Sequence, residues 1–332
     1  MDIFTYFTVL KLSMIRFKNI IFLTAVLGLL PALTVQAQQD PQFSLNMFNQ
    51  LAVNPGFAGS QGMLSASVLN RQQWMGFEGN PKTTLASVHM PVKPFGFNSG
   101  VGVNFMDDQL GFEKNIAINL NYAYRLELGN GQLGIGLAVG LLNKAIDGKW
   151  TIPDSDNHIP ASQDPAIPDQ AESAMVFDMG MGLFYHTDDF YAGLSSTHLF
   201  QPTVDYGMSA KEDVKRHYYA SAGYNFNLPN PLFELQPSLF AKYDGASVQI
   251  DINTNVIYNK KIWGGVSYRL GDAVILLGGL ELSNGLRLGV AYDFTTSALA
   301  HYSHGSVEFM LNYSLEIGMD KFNRRYRSVR FL

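Results

Sequence analysis

Strict alternation of apolar residues with polar or small ones recurs between residues 65 and 317, and it constrains the fold more than any other feature of the chain. In residues 115–127 the even positions are apolar or aromatic: Ile116, Ile118, Leu120, Tyr122, Tyr124 and Leu126. The odd positions are polar, charged or small: Asn115, Ala117, Asn119, Asn121, Ala123, Arg125 and Glu127. Successive side chains of a β-strand point to opposite faces, so each such segment predicts a strand with one apolar and one polar face. Many of these strands in succession predict an all-β fold, an antiparallel transmembrane β-barrel with its apolar face outside.

The N-terminus has the pattern of an export signal. A short basic patch precedes an apolar stretch at residues 20–30, and residues 35–37 resemble a small-residue cleavage site. We therefore predict a signal peptide over residues 1–37. Met1 and Met14 are both possible start residues, and a start at Met1 gives the signal an N-terminal extension. The apolar stretch is too short and wrongly flanked for a membrane-spanning helix.

The composition excludes several other classes of protein. The formal net charge of −5 is not typical of nucleic-acid-binding proteins, so we predict no nucleic-acid partner. The chain has no cysteine, which excludes a disulfide scaffold, a thiol enzyme and a lipid anchor on an N-terminal cysteine. Aromatic residues make up 13% of the chain and are mostly Phe and Tyr. Transmembrane barrels carry such residues in girdles at the two membrane surfaces.

About fourteen segments carry the alternation, and we predict one strand for each. They lie near residues 62–73, 83–90, 98–106, 115–127, 131–143, 174–186, 189–198, 215–228, 232–243, 247–258, 260–270, 273–282, 285–295 and 305–317. After the signal peptide, the predicted organisation is an N-terminal periplasmic arm or plug over residues 38–61, an outer-membrane barrel over residues 62–318 and a periplasmic C-terminal tail over residues 319–332. An even number of strands predicts that both ends of the mature chain face the periplasm.

The lengths of the connections predict the same orientation. Tight turns rich in Gly, Asn, Asp or Pro, such as residues 128–130 and 229–231, alternate with longer connections such as residues 144–173 and 199–214. Bacterial barrels place their short turns in the periplasm and their long loops outside. The first strand is therefore expected to start from the periplasm.

Charged residues on the polar faces leave two interpretations of the barrel interior open. We predict that the following residues line the lumen: Arg125, His217, Asp251, Arg269, Arg287, Asp293 and Glu308. They would line a channel for solutes, or opposite charges would pair across the interior and plug it. The second interpretation is preferred because it leaves no buried charge unpaired. Gly134 and Gly136 are expected to leave room inside the barrel for a large neighbour or an inserted segment.

No constellation of catalytic residues is apparent. The chain has no His-Glu-x-x-His zinc helix and no Gly-x-Ser-x-Gly nucleophile elbow. Residues that a rim hydrolase or a metal site would use are present without the spacing that would require either: Ser195, Ser196, His198, His217, His301, His304, Asp154, Asp156 and Asn157. We therefore predict a protein that is not an enzyme and that has no cofactor and no metal.

Several motifs resemble one family over almost the whole mature chain. They are Gln39 to Ser44, Met47-Phe48-Asn49, Asn54 to Gly59, Arg71 to Trp74, Gly76-Phe77, Gly79-Asn80-Pro81, Tyr122-Ala123-Tyr124, Arg216 to Tyr219, Gly223-Tyr224, Trp263 to Arg269, Tyr292-Asp293 and Ser328 to Leu332. Together they resemble the PorP/SprF family of outer-membrane proteins of the type IX secretion system and gliding machinery of Bacteroidetes. Gly56 and Phe57 stand where the family usually has Ala-Tyr, a change that keeps size and turn capacity.

The resemblance implies a non-enzymatic outer-membrane component that supports protein secretion or surface attachment of cargo such as adhesins through protein–protein contact. The implied partners are other type IX secretion components, namely periplasmic ring or linker proteins, a secreted surface protein such as an adhesin, and outer-membrane lipid. Candidate partner contacts lie in the arm and in the basic tail: Asp40, Pro41, Phe43, Phe48, Asn54, Pro55, Arg324, Arg325, Arg327 and Arg330. The alternative function is an outer-membrane transport channel for small or hydrophobic solutes.

Overall fold

The alternating segments form the strands of one antiparallel sheet in a computed structural model, which describes residues 40–146, 172–206 and 211–317. The first seven strands are β1 (Leu64–Gln72), β2 (Lys82–Val92), β3 (Ser99–Leu110), β4 (Glu113–Leu128), β5 (Gly131–Ile146), β6 (Glu172–His186) and β7 (Phe190–Thr197). A small separate hairpin follows, made of β8 (Thr203–Asp205) and β9 (Lys211–Asp213). The sheet continues with β10 (His217–Tyr224), its short extension β11 (Phe226–Asn227), β12 (Phe233–Tyr243), β13 (Val248–Tyr258), β14 (Ile262–Arg269), β15 (Ala273–Glu281), β16 (Leu286–Thr295) and β17 (Ser306–Leu315).

The sheet closes on itself as a barrel of fourteen strands, with β10 and β11 counted as one. β1 pairs with β2 on one side and with β17 on the other, and β10 pairs with both β7 and β12. Closure pairs most backbone N–H and C=O groups of the described wall within the protein, as a membrane interior requires. The first part of β6, residues 172–180, pairs with β5 alone. The predicted all-β barrel is therefore confirmed. The β8–β9 hairpin was not predicted, because three-residue strands in a polar loop give no recognisable alternation.

The two faces of the wall differ as the alternation predicts. In β4, Leu120 is 56% exposed on the outside, whereas Ala123 and Arg125 are buried on the inside. Exposed aromatic side chains lie near both ends of the strands, at Tyr218, Tyr243, Tyr268 and Phe294 at one end and at Tyr224, Phe226, Tyr258 and Tyr313 at the other. These two belts suit the boundaries between the acyl chains and the head groups. Among the described residues, no helix has the length and apolar character needed to cross a membrane.

The lumen is occupied by the chain that precedes β1, residues 40–62, which we call the inner segment. It contains three short helical turns, Asn46–Phe48, Gln50–Val53 and Pro55–Phe57. Its apolar side chains form the barrel core with inward-facing residues of the wall. One cluster joins Leu45 and Met47 to Trp263, Ile275 and Met310, and a second joins Leu51 and Phe57 to Phe184 and Tyr191. The predicted N-terminal arm or plug is thus inside the barrel.

The inner segment runs from one end of the barrel to the other. We call the end with the β4–β5, β6–β7 and β13–β14 turns the short-turn end, and the opposite end the long-loop end. Asp40 contacts Thr197 and His198 at the long-loop end, whereas Gly59 approaches Pro91 and Gly100 at the short-turn end. The last strand also finishes at the short-turn end. The described chain therefore begins and finishes at opposite ends of the barrel, which differs from the predicted arrangement with both ends in the periplasm.

Candidate functional site

The candidate functional site is the contact between the inner segment and the barrel wall. Its centre is a group of five buried charged side chains at inward positions of the wall strands: Arg71, Arg269, Asp251, Asp293 and Glu308. Arg71 Nη2 lies 2.8 Å from Asp293 Oδ2, and Arg71 Nη1 lies 3.0 Å from Glu308 Oε2. Arg269 contacts Asp251 at 3.0 Å and Asp293 at 2.9 Å. We call this group the charge cluster.

The inner segment completes the charge cluster. The backbone N–H groups of Ser44 and Leu45 donate to the two carboxylate oxygens of Glu308, each at 2.8 Å. Ser44 Oγ donates to Asp293 at 2.7 Å, and Arg269 donates to the Phe43 carbonyl at 3.4 Å. The cluster has three carboxylates and two guanidinium groups, so its surplus acceptors need donors from elsewhere. Because a buried charge without partners is costly, the wall strands and the inner segment depend on each other at this point.

Amide side chains extend the same contact along the segment. Gln42 Nε2 and Asn46 Nδ2 each donate to Asp251 Oδ2 at 3.3 Å. Ser221 Oγ of β10 donates to Gln50 Oε1 at 3.0 Å. Hydrogen bonds thus reach the segment from β10 and from β13, which both pair with β12, and they fix the position of the segment against this part of the wall.

Glycines of the wall form a seat for the Asn54–Gly56 turn. A Cβ atom added at Gly134 would lie 2.1 Å from the Gly56 carbonyl oxygen, and one added at Gly136 would lie 2.1 Å from the Gly56 nitrogen. The turn is held by Asn54, whose Oδ1 accepts from the Gly56 N–H at 2.9 Å and whose Nδ2 donates to the Leu183 carbonyl at 2.9 Å. The prediction that Gly134 and Gly136 leave room for an inserted segment is confirmed.

Two polar side chains of the wall, Arg125 and His89, hold the inner segment at the short-turn end, and His186 contacts Arg125. Arg125 Nη1 donates to the Ala58 carbonyl at 2.7 Å, and Arg125 Nη2 lies 2.9 Å from His186 Nε2. The Gly59 N–H donates to His89 Nδ1 at 3.2 Å. These contacts fix the chain just before it enters β1.

Arg287 lies apart from the charge cluster. Its Nη2 donates to Glu281 Oε2 at 2.8 Å, and its guanidinium carbon lies 5.3 Å from the centre of the Phe48 ring. Phe48 also packs against Trp263, with ring centres 4.8 Å apart. Arg287 therefore contacts the inner segment through an aromatic face, an arrangement in which a cation is attracted to the ring.

A second polar group surrounds Asp40 at the long-loop end. Asp40 Oδ1 lies 3.0 Å from His198 Nε2, and Asp40 Oδ2 lies 3.5 Å from His217 Nδ1 and accepts from the Tyr219 hydroxyl at 2.5 Å. Asp178 Oδ2 lies 2.9 Å from the other ring nitrogen of His198. Burial alone would lower the pKa of His198, but Asp40 and Asp178 raise it to about 10. His198 thus lies between two carboxylates in a site that favours a cation.

The predicted site residues therefore fall into four sets. Asp251, Arg269, Asp293 and Glu308 meet in the charge cluster, while His217, Arg125 and Arg287 contact the inner segment at other places. The arm residues proposed as partner contacts lie against the wall, and Phe43, Asn54 and Pro55 among them are buried. The tail residues Arg324, Arg325, Arg327 and Arg330, and the loop residues Asp154, Asp156 and Asn157, lie outside the described residues.

The geometry of a rim hydrolase is not assembled. Ser195 Oγ is buried and has no hydrogen-bond partner among the described residues, and Ser196 Oγ donates to the neighbouring Thr197 carbonyl at 3.5 Å. His198 instead contacts Asp40 and Asp178. Sequence analysis missed the role of Asp40 in joining His198 to His217, because the three residues are far apart along the chain and share no motif.

Comparison with known proteins identifies one family. The family described as "Type IX secretion system membrane protein PorP/SprF" matches residues 35–313, which is most of the chain. No curated protein matches the chain.

Among solved structures, the chain is similar at low identity to the three proteins described next. The Acinetobacter baumannii outer membrane protein Omp33 is 8% identical, with a TM-score of 0.42, and the match covers 77% of this chain and 100% of that one. The monoaromatic hydrocarbon channel CymD is 12% identical, with a TM-score of 0.49, over 83% of this chain and 94% of that one. The Ralstonia pickettii toluene transporter TbuX is 10% identical, with a TM-score of 0.46, over 85% and 96%. Structural similarity at this level does not indicate the function of this chain.

Proposed function

The chain belongs to the PorP/SprF family of type IX secretion system membrane proteins, and we propose that it is a non-enzymatic barrel that supports secretion or surface attachment of cargo such as adhesins through protein–protein contact. Membership implies that it works with other components of that system. We propose that these include a periplasmic ring or linker protein and the secreted surface protein itself. The family match over residues 35–313 is the observation that carries the proposal.

The filled lumen supports a platform over a solute channel. The inner segment crosses the barrel from Asp40 to Gly59 and is held by the charge cluster, the glycine seat and Arg125. A solute channel needs a continuous open path, whereas here the inward charges contact each other and the inner segment fills the lumen between them. The alternative function, transport of small or hydrophobic solutes, would require the segment to leave the lumen.

We propose that the short-turn end faces the periplasm and carries the contacts with periplasmic partners. The β2–β3 turn there exposes Phe95 almost completely (99%) beside Phe97. A cavity of about 500 Å³ opens at the same end between Lys260, Glu281 and Arg287. Exposed aromatic residues are enriched at protein–protein contacts, and a charged cleft at the same end can bind polar groups of a partner. We further propose that the basic residues Arg324, Arg325, Arg327 and Arg330 contribute to contact with periplasmic partners.

Gene deletion with complementation tests this proposal. We expect the deletion strain to retain its type IX cargo inside the cell or to fail to attach it to the surface, and we expect the wild-type gene to restore both. Uptake of small solutes is expected to stay unchanged. Normal secretion and attachment combined with loss of uptake would contradict the proposal and support the transport alternative.

A further inference from the structure

We propose that Asp40, His198 and His217 form a binding site for a divalent transition-metal ion of the Zn²⁺ class, which fastens the start of the inner segment to the wall. One ligand atom from each residue can be chosen so that all three lie within 4.8 Å of one another. Two imidazoles and one carboxylate, with a fourth position for water or a phenol, are a donor set that Zn²⁺ accepts. The site is independent of the proposed role in secretion.

The donor atoms lie close enough to bind one ion after side-chain movement. Asp40 Oδ1 lies 3.0 Å from His198 Nε2, and one ligand atom from each of the three residues lies within 4.8 Å of the other two. Metal–ligand bonds of about 2.0–2.1 Å place neighbouring ligands of a tetrahedral ion roughly 3.3–3.4 Å apart. The side chains must therefore move closer together when the ion binds.

Asp178 provides the hydrogen-bond partner that a metal-binding histidine usually has on the ring nitrogen that does not bind the metal. Its Oδ2 lies 2.9 Å from Nδ1 of His198, so Nδ1–H can donate to this carboxylate while Nε2, on the other side of the ring, faces Asp40. A carboxylate on the outer nitrogen orients the ring and raises its basicity toward a metal. The ring of His198 is therefore already oriented for metal binding.

One ring nitrogen of His217 is available to bind a metal. Its side chain is fully buried, Nδ1 lies 3.0 Å from the Lys215 carbonyl, and Nε2 has no hydrogen-bond partner among the described residues. An unpartnered nitrogen on a fully buried ring is costly, and binding a metal removes that cost.

Other polar groups contact one oxygen of the Asp40 carboxylate. Lys242 Nζ donates to the backbone carbonyl of Asp40 at 2.6 Å. The Tyr219 hydroxyl donates to Asp40 Oδ2 at 2.5 Å, and Thr197 Oγ1 donates to the same oxygen at 3.4 Å. Oδ1, which faces His198, is therefore the oxygen of Asp40 that we assign to the ion.

Such an ion would connect three parts of the barrel. Asp40 belongs to the inner segment, His198 follows β7, and His217 begins β10. The connection between β7 and β10 carries the β8–β9 hairpin, so the ion would also hold the base of this loop. The ion would therefore fix Asp40, the first described residue of the inner segment, at the long-loop end.

Titration of the purified full-length mature barrel tests the proposal. After EDTA treatment, we expect Zn²⁺ to bind in isothermal titration calorimetry with one ion per chain, and we expect elemental analysis of the dialysed protein to give the same ratio. His198→Gln combined with His217→Gln should abolish binding. His301→Gln, which changes an exposed histidine in another loop, is the matched control and should bind as the wild type does.

A milder variant separates loss of the site from loss of the fold. Asp178→Asn keeps all three proposed ligands and should weaken Zn²⁺ binding by about 10–100-fold, because second contacts of this kind have that effect. Circular dichroism and retarded migration of the unheated barrel in gels verify folding for every variant. Absence of stoichiometric binding by the wild type would overturn the proposal, and so would unchanged binding by the folded double-histidine variant.

Discussion

Replacement of Glu308 by alanine should loosen the inner segment while leaving the barrel wall intact. The carboxylate accepts from the backbone N–H groups of Ser44 and Leu45, each at 2.8 Å, and contacts Arg71 at 3.0 Å. A buried donor left without an acceptor costs about 1–3 kcal/mol, so two of them cost about 2–6 kcal/mol of the segment's attachment. Arg71 keeps its contact with Asp293. Pairing of β17 with β1 uses backbone groups and does not depend on the Glu308 side chain.

Two assays report on the inner segment separately from the wall. In planar bilayers, Glu308→Ala should conduct ions in bursts, whereas the wild-type barrel should be closed or nearly so. A protease added to the folded barrel should cleave the segment faster in the variant. Glu308→Gln, which keeps one acceptor oxygen, should lie between the two, and Glu316→Ala, which changes an exposed glutamate after β17, should behave as the wild type does. Unchanged conductance and cleavage in a folded Glu308→Ala barrel would refute this account of how the segment is held.

The remaining predictions concern the outer wall and the glycine seat. Leu120→Arg, at the exposed centre of β4, should destabilise the barrel in lipid by about 2–4 kcal/mol. Leu128→Arg, equally exposed but at the end of the same strand, should cost about 0–1 kcal/mol. Equal free energies of unfolding in urea for the two variants would contradict the membrane placement of β4. Gly56→Ala should cost about 1–3 kcal/mol, because its new Cβ would lie 2.8–2.9 Å from backbone atoms of the wall. Gly278→Ala is its control, since a Cβ there meets nothing closer than 3.9 Å, and an equal change in thermal unfolding for both would argue against a tight seat.

The alternation was sufficient to predict the wall and its faces. The period of two gives strand positions and the direction of each side chain without knowledge of the neighbours, so the predicted strands agree with the observed ones to within a few residues. The motifs likewise predicted the family correctly. The alternation repeats along the chain and each family motif is a short local stretch, so both can be recognised without knowing which distant residues meet.

The contacts between the inner segment and the wall could be predicted only in part. The alternation predicted that Glu308 and Asp293 point inside. It could not show that Glu308 accepts hydrogen bonds from the backbone N–H groups of Ser44 and Leu45, because a backbone contact does not depend on the side chains of these two residues. Gly134 and Gly136 did predict space for an insertion, because glycine in a strand interior has few other uses. The direction of the segment was not predictable, since contacts more than a hundred residues apart decide that Asp40 lies at the long-loop end.

Disulfide formation between the inner segment and the wall tests the central claim of a filled barrel most directly. The chain has no cysteine, so a pair can be introduced without competing thiols. A Cβ added at Gly182 would lie 2.9 Å from Cγ of Asn54, which is close to where the sulfur of Asn54→Cys would lie, so this pair suits a disulfide. In native outer membranes, Asn54→Cys with Gly182→Cys should close under mild oxidation, and Asn54→Cys with Gly278→Cys should not. Two thiols that stay free in the folded first pair would contradict a lumen occupied by residues 40–62.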